Sequence, residues 1–281
     1  MPAEQRPLVS VICISFNHER FVAEAIDSVL KQDYLYVELI VVDNGSNDSS
    51  RQIIEQKALQ FGFKTMLHDQ NLGHNKAFNL AFAQCKGTYV IDLSADDLLH
   101  PERISKQVSF FQKQSSQVGV IYHRALCIDE EGKALQEWLK GKPFYGQSGD
   151  LFGPLLMRTF IPTPTMMMKR EVLEVLGGYY ENLSFEDFDF WVRSSRSFHY
   201  AFQDECLSSW RQVASSHSRV QLTHGRSRML QDVLQVLTWA KSQIQNPYEK
   251  RCFVKGCRYY FTQCLKNGDW DLAFRFLTYL V

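Results

Sequence analysis

The sequence predicts an α/β fold: a mostly parallel sheet covered by helices on both faces, followed by a helical C-terminal appendage. Three observations carry that expectation. Dense apolar, β-branched runs such as "PLVSVICISFN" and "VELIVVD" read as strands buried on both faces. Segments with apolar residues at helical spacing lie between them, each long enough for a crossover connection. From about Arg226 onward the pattern is helical alone.

The elements follow in order. After the first strand, "HERFVAEAIDSVLKQ" repeats Phe21, Val22, Ala25, Ile26, Val29 and Leu30 at helical spacing, an amphipathic helix. The second strand ends in the polar, glycine-containing loop "DNGSNDSS", and "RQIIEQKALQF" is the second helix. "KTMLHD" is a third strand, "NKAFNLAFAQC" a third helix and "GTYVIDLS" a fourth strand. In the second half, "PERISKQVSFFQKQ" is a helix with Pro101 at its start. "VGVIYHRALCID" is a strand, "EEGK" a turn, and "GKPFYGQSGD" a loop. "TPTMMMKREVLEVLGGY" runs from strand to helix to a glycine stop. Three helical stretches close the chain: "RMLQDVLQVLTWAKSQI", "YEKRCFVKGCRYYFTQCLKNG" and "WDLAFRFLTYLV".

Bulk properties narrow the function. A chain of 281 residues accommodates one large α/β domain with an appendage. Its formal net charge is zero, so no global field draws it to nucleic acid, and none is expected as a partner. The seven cysteines (Cys13, Cys85, Cys127, Cys206, Cys252, Cys257 and Cys264) are odd in number and form no CxxC pair. They read as reduced thiols of a cytoplasmic protein rather than a disulfide framework or zinc site. The N-terminus has no apolar signal core, and no run of about 18 apolar residues occurs.

Ligands of open α/β sheets bind beyond the carboxyl ends of the strands. Here those ends carry Ser15, Phe16, Asn17, His18 and Glu19; then Asp43, Asn44, Gly45 and Ser46; then Ser94, Ala95, Asp96 and Asp97. Converging on one crevice, they suit a nucleotide base, with Asp43 accepting from a ring N–H. The plainer reading of Asp43-Asn44-Gly45 is turn chemistry, which explains the composition equally well. The adjacent Asp96-Asp97 pair repels itself unless a divalent cation intervenes. Such a cation bridges a diphosphate and stabilises its departure. The plainer reading places these acids near a helix N-terminus, and one carboxylate can bind metal while its neighbour holds the loop. A dinucleotide site needs GxGxxG straight after the first strand, where "SFNHER" has no glycine, and no P-loop motif occurs; both absences argue against these phosphate-binding alternatives.

The ordered set "SVICISFNHERFVAEAIDSVLKQ", "ELIVVDNGSNDSS", "NLGHNKAFNLA", "GTYVIDLSADDLLHP" and "LGGYYENLSFEDFDFWVR" resembles the family 2 inverting glycosyltransferases of the GT-A fold, over residues 8–211. The resemblance implies a Rossmann-like GT-A domain over 1–218 and a helical tail over 219–281. Within the domain it implies a nucleotide-sugar half at about 8–100 and an acceptor half at about 101–218. It places the donor nucleotide, UDP most commonly in the family, on Ser15, Asn17, Glu19, Asp43, Asn71, Gly73, Asn79 and Ala95. The family's DxD metal motif falls on Ser94-Ala95-Asp96, with Mg²⁺ or Mn²⁺ on Asp96. Its acceptor-side "ED" pair falls on Glu186-Asp187, with Asp187 as general base and Glu186 orienting the acceptor. The implied acceptor is a glycan or lipid-linked glycan of a cell-surface polysaccharide.

The sequence departs from the family pattern in four places. Ser94 replaces the first Asp of DxD, Asn44 replaces an Asp, and Phe78 replaces an Arg before Asn79. Downstream, Val213 stands where many relatives carry a metal-binding His, and His217 follows four residues later as a candidate substitute. These departures keep a second class open, a nucleotide-sugar-binding protein without turnover. A nucleotidyltransferase ranks lower, since "SFNHERF" offers no basic, glycine-rich triphosphate loop. In "FEDFDFW" most aromatics are expected in the core, with one of them or Trp210 available to stack on an acceptor sugar, and Asp189 as a surface charge. The basic, aromatic helix carrying Lys250, Arg251, Lys255 and Arg258 either packs on the domain or gives peripheral contact with the inner face of the cytoplasmic membrane.

Overall fold

The computed structural model describes residues 6–138, 140–141, 144–213 and 227–280. A nine-stranded mixed sheet runs through the molecule: β1 (Val9–Ser15), β2 (Val37–Asn44), β3 (Lys64–His68), β4 (Tyr89–Ser94), β5 (Leu98–Leu99), β6 (Val118–Ile128), β7 (Ala134–Glu137), β8 (Met167–Lys169) and β9 (His199–Arg211). Spatial order is β3-β2-β1-β4-β8-β6-β9-β5, with β7 paired to β6. The βαβ half is parallel as expected: β1 lies between β2 and β4, and β2 pairs β3. Short β8 then runs antiparallel to both β4 and β6, so the two halves join through one reversed strand. The sequence had shown no regular pattern in this half, because β5 and β8 are too short to carry a period.

β1 is buried along its whole length, β2 and β4 along most of theirs, and their alternation sorts two cores. Val9, Val11 and Cys13 of β1, with Leu39 and Val41 of β2, face one side. There they meet α1 (Val22–Leu30), α2 (Ser50–Phe61) and α4 (Arg103–Gln112) through Val22, Ile26, Ile54, Ile104 and Val108. Ile12, Ile14, Ile40 and Val42 face the other side. That side holds α3 (His74–Phe82), α5 (Phe152–Met157), α6 (Arg170–Leu176) and α7 (Glu186–Ser195). The three C-terminal helices, α8 (Arg228–Ser242), α9 (Pro247–Lys266) and α10 (Trp270–Leu277), join this second core through Leu234, Phe253, Cys257, Tyr260 and Phe276. Phe253 and Tyr260 of the basic helix are thus packing residues, 2% and 3% exposed.

All seven cysteines are free thiols, and six are buried. Among the described residues no helix is long and apolar enough to cross a membrane.

Candidate active site

Parallel pairing brings the polar strand ends together. Ser15 is in register with Asp43, and Ile14 with Ser94, so β1 carries the middle of a crevice flanked by the ends of β2 and β4. Ser15 and Asp43 are fully buried. Ser15 Oγ and Asp43 Oδ1 have no hydrogen-bond partner, while Asp43 Oδ2 accepts only a long bond from Ser46 N–H (3.4 Å). Buried polar atoms without partners are uncommon in folded proteins and mark groups that await a ligand or water.

The surrounding loops are tied to one another. Asn17, at φ 56°, donates its N–H to Ser46 Oγ (3.0 Å) and accepts from Asn47 N–H at its side-chain oxygen (2.8 Å). Glu19 accepts from Ser49 N–H (2.9 Å). Both side chains therefore brace the loop after β2, and that loop lines the crevice. Asn44 donates to Asn71 Oδ1 (3.1 Å) and accepts from Leu72 N–H (3.0 Å), a two-way bond that a carboxylate could not make. Asn71 Oδ1 also accepts from Gly73 N–H (2.8 Å). Gly45, at φ +78°, lies so close to this segment that a Cβ would sit 2.6 Å from Asn71 N. Gly73, at φ +82°, starts α3 with open space before it.

The acidic doublet divides its labour. Asp97 is buried, and its Oδ1 accepts from Arg211 N–H (2.8 Å). Arg211 Nε in turn donates to Asp96 C=O (2.9 Å), and its Nη2 to Glu24 (2.8 Å), fixing the loop. Burial first, then the neighbouring Asp96, raises the Asp97 carboxyl well above the usual range. The Asp96 carboxylate is half-buried and makes no hydrogen bond or ion pair among the described residues. It fits a single protein ligand for a hard divalent cation, with other oxygens supplied by ligand and water. No group of three or more His, Cys, Asp or Glu is placed to hold a metal among the described residues. His217 lies outside the described residues, and Ala95 is fully buried with only its backbone to offer.

At the start of α7, Glu186 and Asp187 are half-buried. Its first turn is held from the C-terminal helices: Asp232 of α8 accepts from Ser184 N–H (2.6 Å), Ser184 Oγ (2.5 Å) and Phe185 N–H (3.2 Å). Asp187 Oδ2 accepts from Thr163 Oγ1 (2.7 Å). Burial first, then Glu186, raises the Asp187 pKa above the ordinary carboxylate value, and burial raises that of Glu186. Phe188, Phe190 and Trp191 are core, as their spacing predicted, and Trp210 packs edge-on against Trp138 at 4.5 Å.

The Asn79 side chain is engaged by the loop after α6: its Nδ2 donates to Tyr179 C=O (2.8 Å) and its Oδ1 accepts from Tyr179 N–H (2.9 Å). With Asn75, which donates to Tyr180 and Leu183 carbonyls, it clamps the "GGYYENL" loop onto α3. Asp189 is not a surface charge: it is 6% exposed and pairs with Arg193 at 2.6 Å. This is an i, i+4 pair on one helix face.

The sequence reading missed one pair. His74, in the first turn of α3, places Nε2 2.9 Å from Asp92 Oδ2 on β4. Asp92 points to the same face as Val90, where alternation calls for an apolar side chain. That break in the run "YVIDLS" was the available signal.

The fold is of the GT-A type. The chain belongs to glycosyl transferase family 2, whose profile it matches over residues 10–177. It is 35% identical over 171 residues to an uncharacterized glycosyltransferase of Nostoc sp., covering 59% of this chain and 52% of that protein. A Rickettsia prowazekii relative, also an uncharacterized glycosyltransferase, is 30% identical over 203 residues, covering 72% and 63%. The chain thus spans roughly half to three fifths of these relatives. Among solved structures, S. aureus TarS in complex with UDP-GlcNAc superposes with a TM-score of 0.71 at 18% identity, covering 93% of this chain and 74% of TarS. The Pyrobaculum calidifontis mannosyltransferase PcManGT, in complex with GDP-Man and Mn²⁺, gives 0.65 at 17% identity, covering 98% and 74%. Both are similar in fold.

Proposed function

We propose that the protein transfers a sugar from a nucleoside-diphosphate donor to a hydroxyl of a glycan or lipid-linked glycan, inverting the anomeric carbon. The observation that supports this is Asp187, a half-buried carboxylate of raised pKa with one hydrogen bond from Thr163, in a protein whose strand ends also carry the unpartnered buried atoms Ser15 Oγ and Asp43 Oδ1. Asp187 takes the acceptor hydroxyl proton as its oxygen attacks, and its raised pKa brings it closer to neutral, where a general base works best. Glu186 orients the acceptor. Ser15 Oγ and Asp43 Oδ1 bind the base and ribose, within loops fixed by Asn17, Glu19, Asn44 and Asn71. Gly73 leaves room for the donor beside α3. A Mg²⁺ or Mn²⁺ ion on Asp96 would neutralise charge growing on the leaving diphosphate. UDP and GDP donors are the first to test, since TarS and PcManGT bind UDP-GlcNAc and GDP-Man. The seven free thiols favour a reducing, cytoplasmic site of action.

The test is a thermal-shift titration with UDP-GlcNAc and GDP-mannose, with and without Mn²⁺, on wild type and Asp96→Asn, followed by turnover on an acceptor panel. Metal-dependent stabilisation lost in Asp96→Asn supports the reading, because a ligand of the native state raises its melting point. Binding without turnover on any acceptor would support the non-catalytic alternative, and no binding at all would overturn both.

A further inference from the structure

A short 3₁₀ turn, Thr163–Thr165, lies between α5 and β8 and docks on α7. Two bonds join them. Thr163 Oγ1 donates to Asp187 Oδ2 (2.7 Å), and Trp191 Nε1 donates to Met166 Sδ (3.1 Å), one residue past the turn. Asp187 and Trp191 are i, i+4 neighbours, so both bonds fall on one face of α7. The turn is also gripped by α4. Arg103, fully buried, donates from Nη1 to Pro164 C=O (2.7 Å) and from Nη2 to Met166 C=O (2.9 Å). Its Nη1 also donates to Ser208 Oγ of β9 (2.8 Å), and its Nε to Gln107 Oε1 (3.0 Å). Gln107 Nε2 donates to Thr165 C=O (3.0 Å), and Ser208 Oγ to Pro164 C=O (3.2 Å). The carbonyls of Pro164, Thr165 and Met166 are thus held by buried side chains of α4 and β9. Burying a guanidinium costs free energy that hydrogen bonding must offset. Its planar fork fixes two carbonyls of one turn at once, which a lysine cannot do.

We propose that this turn, clamped by Arg103, is the device that positions Asp187 for the transfer reaction, with Thr163 as its contact residue. This rests on the reading of Asp187 as general base. The Thr163 hydroxyl has one proton to donate; given to Oδ2, it fixes the carboxylate and leaves Oδ1 to take the acceptor proton. Holding a reacting group in its productive geometry is a large part of what an enzyme supplies, and a loose turn would forfeit it. A donated bond also favours the charged form of a carboxylate. Burial and then Glu186 raise the Asp187 carboxyl, and the Thr163 bond opposes them. The titratable groups that act on Asp187 through space are Glu186 of α7, Asp92 of β4, His74 of α3 and Tyr179 of the loop after α6. None of these belongs to the clamp. Thr163, Gln107 and Ser208 do not titrate, and Arg103→Lys keeps its charge, so variants of the clamp report geometry.

The test is a ¹³C carboxyl NMR titration of Asp187 on the full chain without substrate, its signal identified by loss in Asp187→Asn. The midpoint should rise by about one pH unit in Thr163→Val. It should keep the wild-type value in Thr163→Ser, which retains the hydroxyl. Arg103→Lys should raise the midpoint in the wild-type background and add nothing in Thr163→Val, because the clamp reaches Asp187 through Thr163. In turnover measured below the midpoint, kcat should fall about tenfold in Thr163→Val with the donor KM unchanged. Coincident midpoints in wild type and Thr163→Val overturn the inference and leave the base reading standing. An unchanged midpoint in Arg103→Lys, or shifts that add in the double variant, overturns the clamp. A fully active Asp187→Asn enzyme overturns both readings, and it is recognised by turnover rather than by a midpoint. If Arg103→Lys fails to fold, Ser208→Ala, which removes one bond to the turn, takes its place in the cycle.

Discussion

Replacing Asp187 by Asn separates catalysis from stability in opposite directions. Asn keeps the shape and an acceptor oxygen for Thr163 Oγ1, now 2.7 Å from Asp187 Oδ2, but it cannot take a proton. Losing a general base costs about 10²–10⁴ in kcat. That is about 3–5 kcal/mol of barrier, at about 1.4 kcal/mol per tenfold. Stability moves the other way. The folded-state pKa of Asp187 is raised by burial and Glu186, so the native state favours the protonated form. Its contribution to stability is therefore lost as pH rises from the unfolded carboxylate value, about 3.9, through the folded one. At pH 7.5, below the folded value of about 8, the native state must take up a proton that the unfolded chain has shed; Asn removes that cost, and each kcal/mol relieved raises Tm by about 2–4 °C for a domain of this size. The assay is nucleotide release against an acceptor panel together with a thermal melt at pH 7.5. Full turnover would refute the base, and a Tm lowered by several degrees would show that Asp187 is a structural group.

Other perturbations test the scaffold. Gly45→Ala combines φ +78° with a Cβ pressed on the Gln70–Asn71 backbone, and should cost about 1–3 kcal/mol in a denaturant melt while weakening UDP binding. Asn79→Ala strips both backbone partners from Tyr179 and should cost about 1–3 kcal/mol, with little effect on nucleotide affinity; a selective loss of UDP binding would support the sequence expectation. Asp232→Ala removes three bonds at the start of α7 and should cost about 0.5–2 kcal/mol and lower kcat more than it changes donor binding, measured by melt and initial rates. His74 contributes stability that is fully present below about 6.5 and lost as pH rises through about 10. Wild-type Tm should therefore fall across that window, and His74→Gln should flatten the fall.

The sequence by itself determined the βαβ half, because long strands buried on both faces and amphipathic helices carry strong periods. It also grouped the polar strand ends: parallel strands must end on one side, so the ends of β1, β2 and β4 could be placed together before any coordinates. Tertiary structure decided the rest. Short β5 and β8 carry no period, and their pairing follows from neighbours distant along the chain. Which amide or carboxylate faces a ligand is also a matter of what stands across from it. Asn79 met the Tyr179 backbone, Asp189 met Arg193, and Asp97 met Arg211, while Asp96 met nothing among the described residues. The helices read as an appendage share the main core, and Asp232 on one of them holds Ser184 and Phe185, just before Glu186-Asp187. His74 and Asp92 are 18 residues apart and unremarkable as letters; the fold makes them one charged pair, because only burial turns an aspartate within a strand into a demand for a cation.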